Sequence, residues 1–228
     1  MLRVNNLTGF GAGGGGGTSI ILVDSMTFTH DGDGAANLSV TISGMTFTTG
    51  DLMIISFSFG SGADATWSWG GDVTITDIYD QTGSGTPGAY AGYGTLTSGD
   101  ATVSVSGVTF SGWSATSGVI SVWRNAAYGG VTSDTGASGM PDPPSHSGFV
   151  AGDVSLAIGM LDDDDVTATA QSGYTLIDAL GHTVAGPTRS SHMQSYKEII
   201  AAGADDPAAF GGVGTDAWKA LTVELNEA

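Results

Sequence analysis

The chain has 228 residues, enough for one large β domain or two small ones. It carries 23 acidic and 5 basic residues, a net charge of −18, and no cysteine. The five cations are scattered, which disfavours nucleic acid and anionic membrane surfaces, and the missing thiols exclude disulfides, thiol nucleophiles and thiolate metal sites.

Glycine is frequent, at 38 residues, while proline is scarce, at 6, and 40% of the chain is apolar. With abundant Thr and Ser, this composition predicts many short strands, tight turns and a real core. No run is long and apolar enough for a membrane span, and the first residues lack the apolar stretch of a signal peptide. The expectation is a protein made in a cytoplasm, reaching the outside by lysis or as part of a particle. So acidic a surface suits salt water or a Ca²⁺-rich setting.

Residues 1–18 stand apart as a leader that ends in five glycines, Gly13 to Gly17. It reads either as a flexible tail or as an assembly arm that anchors on a neighbour through Leu2, Val4, Leu7 and Phe10. Ser19 to Val23 reads as a strand, Met26 to Thr29 follows, and a turn is expected at Asp31-Gly-Asp-Gly34. Leu38, Val40 and Ile42 alternate on one strand face. The run Asp51-Leu-Met-Ile-Ile-Ser-Phe-Ser-Phe59 begins as a continuous apolar block, the pattern of a central strand buried on both faces. Thr66 to Trp69, Val73 to Thr76, Tyr90 to Leu96, Ala101 to Phe110 and Gly118 to Trp123 supply further strands.

Residues 126–150 are rich in turn and polyproline residues and read as a long crossover. The second part then retraces the first. Gly50-Asp51-Leu52 is echoed by Gly152-Asp153-Val154, and Ile54-Ile55 by Leu156-Ala157-Ile158. Strands are expected from Gly152, Val166, Tyr174, His192 and Trp218 onward, and no stretch has helical periodicity. The predicted fold is all-β: a two-sheet antiparallel β-sandwich of the jelly-roll type, with pseudo-repeated halves at about 19–125 and 151–228.

Chemistry is sparse. Asp162, Asp163, Asp164 and Asp165 could offer oxygen ligands to Ca²⁺, but consecutive strand residues diverge, so a solvated hairpin tip is the simpler reading. Asp31 opens no EF-hand, because the twelfth position is Ile42. His30, His146, His182 and His192 have no zinc spacing, and no Gly-x-Ser-x-Gly elbow occurs. Glu224 alternates with core residues and reads as a surface position. Trp113, Tyr90 and Tyr93 are candidate contacts for a sugar ring, with Trp67 and Trp123 assigned to packing.

The frame Gly50-Asp-Leu-Met-Ile-Ile-Ser-Phe57, then Trp67-Ser-Trp69 with Val73-Thr-Ile75, then Tyr90 to Gly94, then Val119-Ile-Ser-Val-Trp-Arg124, resembles jelly-roll modules of tailed-bacteriophage virion proteins. Ser172-Gly-Tyr-Thr-Leu176 matches the middle element again, although Gly70-Gly71 replaces the family's prolines after Trp69. The resemblance covers most of residues 45–226 and carries no catalytic residues. It implies a non-enzymatic structural protein exposed on the virion, as a capsid decoration or cement subunit or as a tail-tip or fibre component. Its implied partners are other virion proteins and itself, as a homo-oligomer that could be a trimer. No cofactor is expected beyond the Ca²⁺ option. The alternatives are a glycan- or receptor-binding module and a glycan hydrolase, the latter needing two carboxylates in one groove.

Overall fold

A computed structural model of the chain describes residues 19–31, 36–60, 68–81, 87–108, 115–162, 168–183, 189–212 and 216–228. Every regular element among them is a strand, and every strand pairing is antiparallel. The first half holds β1 (Ile21–Asp31), β2 (Ala36–Thr41), β3 (Leu52–Phe59), β4 (Ser68–Gly71), β5 (Thr76–Gln81), β6 (Gly88–Thr95), β7 (Thr102–Val108) and β8 (Ala115–Arg124). The second holds β9 (Ala126–Gly136), β10 (His146–Phe149), β11 (Val154–Leu161), β12 (Thr175–Thr183), β13 (Arg189–Glu198), β14 (Gly203–Asp205) and β15 (Trp218–Glu227).

The strands divide among four sheets rather than two. Two large inner sheets run β1-β8-β3-β6-β5 and β12-β13-β11-β15-β9. Two small outer sheets run β2-β7-β4 and β10-β14. β3 and β11 are central in their sheets, as their continuous apolar runs predict, and every residue of both is buried. The 126–150 stretch is not a bare crossover. It contains the edge strand β9 and the short β10, and only Asn125 separates β8 from β9. Asn125 has φ 57°, the one non-glycine positive φ among the described residues. Its short amide side chain tolerates that turn and donates to the Ser19 carbonyl at 3.1 Å.

Strand alternation distributes the core into three layers. On β3, Leu52 and Ile54 face the other inner sheet and pack with Val119, Trp123, Leu156, Ile158 and Leu221. Met53, Ile55, Phe57 and Phe59 face the opposite way, onto Leu38, Val40 and Val103 of the first outer sheet. Each such large side chain contributes about 1.5–3 kcal/mol by leaving water. On the far face of the second inner sheet, Ala157, Leu161, Met193 and Trp218 pack with Phe210 and Met140.

Three turns share one device. Thr48-Thr-Gly-Asp51, Thr97-Ser-Gly-Asp100 and Val150-Ala-Gly-Asp153 each bring the aspartate back onto the first residue's N–H, at 2.8, 2.7 and 2.6 Å. All three aspartates are buried. The Gly-Asp echo between the halves therefore marks a capped turn that launches β3 and β11.

Candidate functional site

The densest polar constellation lies between the two inner sheets. At one end of that interface the inward residues are apolar. Towards the other they become Ser56 and Ser58 on β3, Ser117 on β8, and Ser190, His192 and Gln194 on β13, all fully enclosed. Small hydroxyl side chains let the sheets close up here. At Gly60 the approach reaches backbone distance: a Cβ there would sit 2.5 Å from the Arg189 carbonyl oxygen.

The hydrogen bonds of this seam cross from sheet to sheet. Gln194 Nε2 donates to Ser56 Oγ at 2.7 Å and to the Val119 carbonyl at 3.3 Å. Ser56 Oγ lies 2.8 Å from His192 Nε2. The arrangement that satisfies most of these atoms has Ser56 accepting from Gln194 and donating to Nε2, with the imidazole proton on Nδ1. A second relay runs Ser190 to Ser117 (3.0 Å), Ser117 to Ser58 (3.2 Å), and Ser58 to the Ser191 carbonyl (2.8 Å). Burial lowers the His192 pKa to about 3, so the ring is neutral at any physiological pH.

A Ser–His pair at 2.8 Å invites a nucleophile reading, which the surroundings reject. Nδ1 is buried with no hydrogen-bond partner among the described residues, so no carboxylate orients the ring as hydrolases require. Both side chains are closed off between sheets, where no substrate reaches. The seam ties the two halves together.

A second cluster fastens the cover over the second inner sheet. Lys197 and Tyr174 both donate to Asp205, and Ser155 donates to the Tyr174 hydroxyl at 2.8 Å. Burial alone would raise the Asp205 pKa, but Lys197 and Tyr174 outweigh it and hold the carboxyl below the ordinary range. Burial and Asp205 push the Tyr174 hydroxyl up. In the first half Arg124 grips Asp51 with Nε at 3.0 Å and Nη2 at 2.8 Å. There too the donors outweigh burial and lower the carboxyl's pKa.

The residues singled out from sequence fare unevenly. Tyr90 is not a sugar platform. Its ring is wholly enclosed, stacked on Phe57 at 5.4 Å, and its hydroxyl donates to Asp77 beside Trp69. Tyr93 is half-buried, and a Tyr128 ring 4.6 Å away covers one of its faces. Trp123 is core, as expected. Glu224 is not a plain surface position, since it is mostly buried and lies 3.4 Å from His146 Nε2. Asp162 directly follows β11, its N–H donating to the Ala217 carbonyl at 3.0 Å. Asp163, Asp164, Asp165, Trp67, Trp113, Leu2, Val4, Leu7 and Phe10 lie outside the described residues.

Asp134, Asp142 and Asp206 share a proline-walled cleft of about 600 Å³. Burial, then Asp206 and Asp134, raise the Asp142 pKa. Among the described residues, no three His, Asp or Glu side chains are placed to hold a metal ion. Comparison with protein-family models, with curated proteins and with solved structures finds no match for this chain.

Proposed function

We propose that the protein is a non-enzymatic structural subunit of a tailed-bacteriophage virion, exposed on the particle and assembling through residues 1–18. The observation that carries the reading is the strand order. In the first half, β1-β8-β3-β6 faces β2-β7-β4, which is the first, eighth, third and sixth strand opposite the second, seventh and fourth. We read that order as the winding of a jelly roll, with β5 added at the edge of the larger sheet.

The second half supports a pseudo-repeat. Its order β9-β15-β11-β13-β12 corresponds strand for strand to β1-β8-β3-β6-β5, and β10-β14 corresponds to β2-β7. On this reading, two such units packed through their large sheets would make a stiff block. The buried polar groups of the seam and of the Asp205 cluster serve packing. The resemblance of residues 45–226 to virion modules points the same way.

The test is removal of residues 1–17. The shortened chain is expected to remain a folded sandwich by circular dichroism and to be lost from purified particles. Full occupancy of the shortened chain on particles would defeat the assembly role.

A further inference from the structure

We infer that Asn125 is a hinge about which the chain opens, so that the first half of one copy closes on the second half of another and a half-exchanged dimer forms. Such exchange goes beyond the particle reading above and does not rest on it.

Strand pairing sets the condition for exchange. β1 to β8 pair only among themselves, and so do β9 to β15. The two halves are joined covalently at Asn125 and otherwise through packing and side-chain hydrogen bonds. Parting them therefore breaks no sheet. It uncovers two inner faces whose complement is known. Leu52, Ile54 and Trp123 pack with Leu156, Ile158 and Leu225. Ser56 accepts from Gln194 at 2.7 Å, and Ser117 from Ser190 at 3.0 Å. The second half of another copy presents the same complement, so exchange rebuilds each of these contacts between chains.

The hinge decides between the two forms. β8 ends at Arg124 and β9 begins at Ala126, so the whole passage from one inner sheet to the other falls on Asn125. It is made at φ 57°, in the left-handed region that L side chains avoid. Every other positive φ among the described residues belongs to glycine. Two bonds clasp the closed turn, one from each half. The Asn125 amide donates to the Ser19 carbonyl, and Ala228 N–H donates to the Asn125 carbonyl, both at 3.1 Å. Extending Asn125 relieves the left-handed backbone and runs β8 into β9 as one strand. A short connection under such a constraint is the kind that favours exchange.

Concentration works the other way. A one-residue tether keeps a chain's own second half at an effective concentration of about millimolar or more. The closed monomer accordingly prevails in dilute solution. Exchange gains when chains refold crowded together, or when residue 125 resists a positive φ.

The chain has no cysteine, and Ser117 and Ser190 face each other across the seam, both fully enclosed. A full-length Ser117→Cys/Ser190→Cys double variant, refolded dilute and oxidised, should close its disulfide within one chain. Full-length Ser117→Cys and Ser190→Cys single variants, refolded together from urea at high concentration and oxidised, should give a covalent heterodimer. The same two proteins refolded apart and then mixed should give none. Adding Asn125→Val to both should raise the yield by about tenfold per hinge, because a β-branched residue is strained at this φ. Asn125→Gly removes the same amide but accepts a positive φ, so it should not raise the yield. Light scattering on Asn125→Val without added cysteines reads the exchange independently, and a dimer with wild-type circular dichroism is expected. A monomer alone after crowded refolding, equal yields with valine and glycine, or equal cross-linking of proteins refolded apart would each overturn the hinge.

Discussion

His192 shows how one side chain sets a pH window. In an unfolded chain histidine titrates near 6.5, whereas burial holds His192 at about 3 in the fold. Between those values the unfolded chain binds a proton that the folded one does not. The contribution of His192 to stability is therefore whole above the unfolded value. It declines as pH falls, by up to about 1.4 kcal/mol per pH unit, and is spent below the folded value. The Asp51 and Asp205 carboxyls are held below the ordinary carboxylate range, so they enter only at lower pH. Urea midpoints measured down to about pH 4.5 should be dominated by the histidine, with Asp142, whose pKa is raised in the fold, acting in the opposite sense. His192→Gln keeps a hydrogen-bonding group beside Ser56 and cannot titrate, so its midpoint should vary much less with pH. At neutral pH the same variant should be less stable by about 1–3 kcal/mol, because Ser56 and Gln194 are left imperfectly paired. A variant that keeps the wild-type slope would show that another group titrates in this range.

The abundance of glycine finds a reason at the level of paired strands. Gly88 lies directly opposite Phe59, Gly118 opposite Phe28, and Gly136 opposite Trp218. In each pair the aromatic ring folds down over the glycine, and a Cβ there would fall within the ring's own space. Gly118→Ala must therefore push Phe28 out of the first-half core, at a cost of about 1–3 kcal/mol. Gly99→Ala is the control: nothing lies within 4 Å, and the backbone there has no positive φ. It should be neutral or slightly stabilising in the same thermal melts. Equal losses at both positions would mean that backbone freedom, not the aromatic lid, sets the need for glycine. These pairs also mark what could be read from the chain. β3 was legible because burial on both faces leaves an uninterrupted apolar run. β9 was not, because an edge strand lined by Gly129, Gly130, Thr132, Ser133 and Asp134 keeps no alternation of apolar and polar residues. Ser56, Ser58 and His192 gave no sign of the seam: residues 51–59 read as a buried central strand and His192 as the start of a later one. Nothing local to a strand announces that a second sheet will cover its polar side. Tyr90 was assigned to a sugar contact because nothing in its own strand shows which face is covered; its small neighbours Ala89, Ala91 and Gly92 make room for its enclosed ring.

At the scale of the whole molecule, the question is whether two sandwiches joined by Asn125 behave as one body. Each half owns an outer core, the one around Phe57 in the first half and the one around Phe210 in the second. The middle core belongs to neither, since Leu52, Ile54 and Trp123 pack there with Leu156, Ile158 and Leu225. Separating the halves would expose that apolar surface and strand Gln194 and His192 without Ser56. The halves should therefore unfold together, in one transition seen alike by tryptophan fluorescence and far-ultraviolet circular dichroism. Gly60 offers a way to weaken the join selectively, because it touches the Arg189 backbone rather than a side chain that could turn aside. Gly60→Val forces the sheets apart at the polar end while leaving both outer cores intact. It should lower the urea midpoint and split the transition, the two probes no longer coinciding. Two separate transitions already present in the wild type would mean that the middle core does not couple the halves. Neither Asn125 nor the seam would then hold the block rigid, and a leader gripping one half could not position the other.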